Sequence, residues 1–85
     1  MTERERSATL ARINPEFDPQ IRAKILKDYE WATNREPPRS DEDIKRELQI
    51  LKGKISHAVY HGDPTSELLI RREVLYLIAE ERGLF

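Results

Sequence analysis

The segment SDEDIKRELQILKGKISHAVYHGDP, residues 40–64, decides the fold class. Ser40 precedes three acids and suits a helix N-cap, and Gly62 stands where a left-handed C-cap is expected. Between them, apolar residues follow a 4-3-4-3 spacing that puts them on one helical face: Ile44, Leu48, Leu51, Ile55 and Ala58. We therefore predict one helix over 41–61 that continues through Gly53, although glycine costs ~1 kcal/mol relative to alanine there.

Proline and glycine divide the rest of the chain into further helices. Asp18-Pro19 and Asp63-Pro64 each combine an N-cap aspartate with proline at the first helical position. The segment Thr2-Glu3-Arg4-Glu5 fits a capping box. These signals predict helices over about 3–12, 19–34, 41–61 and 64–82, and no strand pattern competes with them.

The apolar content of each helix predicts how the helices are arranged. The 64–82 segment carries the widest apolar arc, so it is expected at the centre, and its two-residue connection to the preceding helix favours a tight antiparallel hairpin. The 85 residues make one small domain. We predict an all-α fold in which 1–17 is a short N-terminal helical arm and 18–85 is a three-helix bundle.

Composition limits the classes of function. Fifteen basic and sixteen acidic residues nearly balance, so no strong field attracts nucleic acid or an anionic membrane. Cysteine is absent, which excludes disulfides and thiolate chemistry. The start, MTERERSATL, is charged where a signal peptide is apolar, and the longest apolar run, VLYLIA, is too short to span a membrane. We expect a cytoplasmic protein.

The two histidines are the first residues that suggest chemistry. His57 and His61 are four apart and share a helical face, as in the HExxH helix of metalloproteases, but Ala58 stands where the catalytic glutamate belongs. A zinc site needs at least one more protein ligand, and Asp63 is better placed to cap a helix. We expect no metal site, no cofactor and no catalytic residue.

One enzyme family shares a short pattern with the chain. Lys54, Asp63 and Glu67 resemble the lysine, aspartate and acid of small all-helical chorismate mutases, over residues 54–67 only. Ser66 stands where such an enzyme needs an arginine for its dianionic substrate. The resemblance therefore does not extend to activity, and we expect the chain not to be an enzyme.

Large apolar residues outside the core stripes suggest a binding surface. A set that includes Trp and Tyr is notable because these side chains dominate interface energetics. We predict a protein-binding face that serves an adaptor, inhibitor, immunity-type or regulatory factor, whose partner is another protein or a second copy in a homodimer. Its predicted residues are Trp31, Tyr60, Leu69 and Tyr76. The competing interpretation is that the arm, through Leu10, Ile13 and Phe17, covers part of this set.

The alternative function is nucleic-acid association. Four basic residues lie on the helix predicted over 41–61: Lys45, Arg46, Lys52 and Lys54. A DNA-binding domain concentrates positive charge more strongly than this, so a solvated mixed-charge face is favoured instead.

Overall fold

The computed structural model describes residues 2–85, and all regular structure among them is helical. The four helices are α1 (Glu3–Arg12), α2 (Pro19–Thr33), α3 (Asp41–His61) and α4 (Ser66–Glu81). The predicted all-α class is therefore confirmed, and so is the single helix that passes through Gly53. None of the helices within 2–85 is long and apolar enough to cross a membrane.

Three helix starts use the predicted capping residues. The Thr2 hydroxyl accepts from the Glu5 amide at 3.2 Å. Asp18 accepts from the Gln20 amide at 2.8 Å, with Pro19 opening α2. The Ser40 hydroxyl accepts from the Asp43 amide at 3.1 Å. Each bond satisfies an amide that has no partner within its helix.

The predicted N-cap of the last helix, Asp63, is wrong, although the helix starts within two residues of the predicted boundary. α4 begins at Ser66 rather than Pro64, and its N-cap residue, Thr65, makes no side-chain capping bond. The reason lies in how α3 ends. Gly62 adopts the left-handed conformation (φ 71°), and the Asp63 amide donates back to the Ala58 carbonyl at 2.8 Å. Asp63 therefore closes α3 through its backbone and does not open α4.

A second glycine repeats this ending after α4. Gly83 has φ 67°, its amide donates to the Glu80 carbonyl at 3.1 Å, and the Leu84 amide donates to the Ala79 carbonyl at 2.9 Å. The turn reverses the chain, so that Leu84 packs, half-buried, against the core. Phe85 is thereby brought beside α4, an outcome the sequence patterns did not predict.

The core is organised around α4, which contacts both α2 and α3, while α1 packs on α2. The buried residues of the core are Ile13, Ile25, Leu26, Tyr29, Ile44, Leu51, Ile70, Val74, Leu75, Leu77, Ile78 and Ala79. Half of these residues belong to α4, which agrees with its wide apolar arc.

The N-terminal arm belongs to this core. Ile13 is 1% exposed. The apolar stripe expected on α2 consists of Ile21, Ile25, Tyr29 and Ala32; Leu26 falls outside it, yet it is buried. One turn before it, the Arg22 guanidinium donates to the Leu10 carbonyl at 2.8 Å, so α1 lies on that side of α2. We attribute the burial of Leu26 to the packing of the N-terminal arm on this side of α2.

A polar cluster connects the end of α1 to the end of α4. Arg12 donates to Glu80 at 3.1 Å, to Glu81 at 3.0 Å and to the Leu77 carbonyl at 3.2 Å. The buried Tyr29 hydroxyl donates to Glu81. Burial and this hydrogen bond raise the pKa of Tyr29 to about 12. Burial alone would lower the pKa of Arg12, but its hydrogen bonds to Glu80 and Glu81, together with the attraction of their negative charges, raise it.

The start of α3 lies beside the end of α4. The Arg82 guanidinium donates to Asp41 at 3.0 Å and to the Arg39 carbonyl at 2.6 Å. Asp41 therefore forms its ion pair with Arg82 and not with Lys45, which lies one turn later on α3.

Candidate protein-binding grooves

A groove of about 540 Å³ lies between α3 and α4. We call it the α3/α4 groove. Its apolar floor is formed by Leu48, Ile55, Tyr76, Leu84 and Phe85, and its basic residues are Lys45, Lys52 and Arg72.

Helical spacing explains the α3 wall of this groove. Leu48 and Ile55 are seven residues apart at the edge of the core stripe, and both are half-buried. Lys45 and Lys52 are also seven apart and lie on the neighbouring line of the same helix, where they are exposed. One wall therefore presents an apolar line and a parallel basic line.

The charged side chains that line the α3/α4 groove are all basic. None of the residues that line it is acidic. Lys45 and Lys52 form no ion pair with any residue in 2–85, and Asp41, one turn before Lys45, pairs with Arg82 instead. The only carboxylate paired with Arg72 in that range belongs to Glu73, at 4.0 Å. Lys45 and Lys52 therefore remain available to an anionic partner, and Arg72 has only the long 4.0 Å contact with Glu73.

Aromatic contacts shape the α4 wall. The Arg72 guanidinium lies over the Tyr76 ring, 5.6 Å from its centroid. The Phe85 ring meets Tyr76 edge-on, with centroids 5.5 Å apart and an interplanar angle of 62°. Tyr76 is half-buried, while Phe85 is 74% exposed. The turn at Gly83 thus adds an exposed aromatic ring to the end of the groove.

A second groove, of about 500 Å³, contains Trp31 and lies between α2 and α4. Its apolar residues are Ala32, Ile70, Val74 and Leu75. Trp31 is 71% exposed at its edge. Charges of both signs surround it, and several are paired internally: Lys24 with Asp28, and Glu47 with Arg39 and Arg71. We call this the α2/α4 groove; because it carries both acidic and basic side chains, it does not favour a partner of either charge.

The other two predicted residues lie elsewhere. Leu69 is half-buried and lines a small cavity of about 70 Å³ with Phe17 and Ile21, so the connection between α1 and α2 covers it in part. Tyr60 is 86% exposed, and its ring contacts His61 edge-on at 5.2 Å. The four predicted residues are thus not brought into one groove, and Tyr76 alone lies in the α3/α4 groove.

The four basic residues of the nucleic-acid alternative are separated in the same way. Lys45 and Lys52 line the α3/α4 groove, whereas Arg46 and Lys54 do not. Arg46 pairs with Asp43 at 3.9 Å. Phe85 is one of the large apolar residues outside the core stripes but is not among the predicted site residues, although a glycine two residues before it is a recognisable signal for a reversing turn.

The His57 and His61 rings lie 4.3 Å apart between centroids. Within residues 2–85, no group of three potential metal ligands surrounds them. The residues shared with chorismate mutases do not line a common groove either, since Glu67 lies in the α2/α4 groove and Lys54 does not.

No protein-family model matches the chain, and neither a curated protein nor a solved structure is significantly similar to it.

Proposed function

We propose that this chain is a non-enzymatic protein-binding module, of the adaptor, inhibitor, immunity-type or regulatory kind, that holds its partner in the α3/α4 groove. α2, α3 and α4 would form a three-helix bundle with a tight antiparallel α3/α4 hairpin. The contact of Asp41 with Arg82 supports the hairpin, because it brings the start of α3 to the end of α4.

The observation that carries this proposal is an apolar, partly aromatic floor flanked by basic residues with no acid among the lining residues. Tyr and Arg are enriched among the residues that dominate interface energies, and they occur here as the stacked pair Tyr76 and Arg72. Exposed apolar surface beside them can be buried by a partner, which stabilises the complex by about 25 cal/mol per Å² before the costs of association.

Nucleic acid is the second candidate, and the three basic residues of the groove are the observation that favours it. Nucleic-acid grooves usually offer aromatic faces on which bases stack. Here Tyr76 is engaged by Arg72 and Phe85, and Phe85 offers the one largely exposed aromatic ring of the groove. Protein binding is the better supported function because the fifteen basic and sixteen acidic residues of the chain nearly balance, whereas a DNA-binding domain concentrates positive charge.

Crosslinking from inside the groove tests the proposal. The chain contains no cysteine, so Ser56→Cys gives one attachment point for a photoreactive group within the groove, and Lys54→Cys gives a matched point outside it. Each labelled protein is irradiated in a lysate of its native host, with and without nuclease treatment and with and without Tyr76→Ala. Crosslinked proteins are then identified by mass spectrometry and retested with purified components.

We expect protein crosslinks at position 56 that are lost with Tyr76→Ala and are absent at position 54. Equal crosslinking at the two positions, or crosslinks that disappear only because nuclease was added, would contradict the proposal.

A further inference from the structure

We infer that the partner segment is an acidic amphipathic α-helix of another protein, an inference that rests on the proposed function of the α3/α4 groove. It follows from the length of the groove, the spacing of its charges and the absence of backbone partners along its walls.

The length fits a short helix. The α3 wall extends from Lys45 to Ser56. At a rise of 1.5 Å per residue this spans about 16 Å, which equals roughly three turns of a helix laid along it. A partner helix would place its apolar stripe, at positions i, i+3, i+4 and i+7, on the floor formed by Leu48, Ile55 and Tyr76.

The charges define the flanks of that helix. Lys45 and Lys52 are seven residues apart on α3, which separates their backbone positions by about 10 Å along the helix axis. Two acids seven apart on the partner reproduce this separation. Arg72 belongs to α4, the opposite wall, and calls for acids on the other flank as well. The complementary segment therefore carries Glu or Asp on both sides of its apolar stripe.

The walls favour a helix over an extended peptide. An added β-strand gains affinity from unpaired amides and carbonyls at a sheet edge. Both long walls of this groove are helices, whose backbone groups are already bonded within each helix except at the ends, and only Leu84 and Phe85 line the groove from outside the helices. An extended segment would leave its own backbone unpaired here, whereas a helix brings its backbone bonds with it.

Synthetic peptides provide the probes. The first is a fluorescein-labelled helix of roughly 14 residues, with Leu at i, i+3, i+4 and i+7 and Glu on both flanks. The second has the same composition with the Leu positions scattered. The third replaces every Glu with Lys, and the fourth probe is a labelled single-stranded oligonucleotide. Binding is measured by fluorescence anisotropy.

Two double variants separate the groove from the general charge of the chain. Lys45→Glu with Lys52→Glu reverses the basic line of the groove, and Arg46→Glu with Lys54→Glu changes the net charge equally, outside it. Circular dichroism is recorded first, to check that both variants remain helical. We expect the patterned acidic helix to bind the wild type and the outer variant alike, and the groove variant at least about tenfold more weakly. The other three probes should bind at least about tenfold more weakly to the wild type.

Equal loss in the two variants, equal binding of the scattered peptide, or tighter binding of the oligonucleotide would overturn the inference. The crosslinking at position 56 keeps the two proposals distinguishable. If a protein crosslinks there but its crosslinked segment is neither helical in pattern nor acidic, the acidic helix is wrong and protein binding by the groove stands. If the acidic helix binds in the α3/α4 groove but no protein crosslinks at position 56, the proposed function as a protein-binding module is contradicted.

Discussion

Replacing Ile13 with alanine tests whether the N-terminal arm is part of the core. Ile13 is 1% exposed and lies in the same buried cluster as Leu26 and Tyr29. Truncating a buried isoleucine to alanine costs about 2–5 kcal/mol, through lost burial and the cavity left behind. The arm contacts mainly one helix and can relax, so we expect the lower part of this range, about 2–3 kcal/mol. For a domain of this size, that lowers Tm by roughly 10–20 °C.

The matched control is Ile50→Ala on α3, where isoleucine is 45% exposed. It removes the same atoms from the surface, so the free energy of unfolding should change by less than about 0.5 kcal/mol. Urea unfolding followed by circular dichroism measures both variants. If Ile13→Ala and Ile50→Ala unfold at the same urea concentration, the arm does not contribute to the folded core, and the packing of α1 on α2 is refuted.

Three further predictions concern backbone and ionisation. Gly53→Ala should stabilise the folded protein by about 1 kcal/mol, since the added Cβ meets no atom within 4 Å. Gly62→Ala should destabilise it by about 1–2 kcal/mol, because φ is 71° at this position. Urea unfolding measures both variants. Asp18→Ala should cost about 1 kcal/mol in the same assay, and Asp63→Ala less than about 0.5, since only the first side chain caps a helix. The raised pKa of Tyr29 means that the folded state holds this proton more tightly than the unfolded state, so wild type should lose stability relative to Tyr29→Phe between pH 10 and about 12. Thermal melts across that range measure this difference.

Local signals predicted most of the secondary structure. Thr2, Asp18 and Ser40 cap helices as expected, because capping depends on neighbouring residues alone. Asp63 was misassigned for the same reason. The Asp63-Pro64 pair suits a helix start. The amide of Asp63, however, donates to the Ala58 carbonyl as part of the glycine C-cap that ends α3.

The candidate site could be predicted only in part. Helical phase places Leu69 and Tyr76 on one face of α4, but it does not say which neighbouring segment covers each of them. The connection between α1 and α2 meets Leu69 through Phe17, while Tyr76 faces the α3/α4 groove. Helical phase likewise does not predict that Trp31 lies in the α2/α4 groove, because the position of this groove depends on how α2 and α4 pack together.

The most direct test compares two aromatic truncations against a partner recovered by crosslinking at position 56. Tyr76 lines the α3/α4 groove, and Trp31 lies in the α2/α4 groove. Isothermal titration calorimetry would measure Kd for Tyr76→Ala and Trp31→Ala, at a temperature where thermal melts show both variants folded. We expect Tyr76→Ala to raise Kd about 30-fold, equivalent to a hot-spot loss of about 2 kcal/mol, and Trp31→Ala to change it less than about threefold. A greater loss with Trp31→Ala than with Tyr76→Ala would contradict binding in the α3/α4 groove.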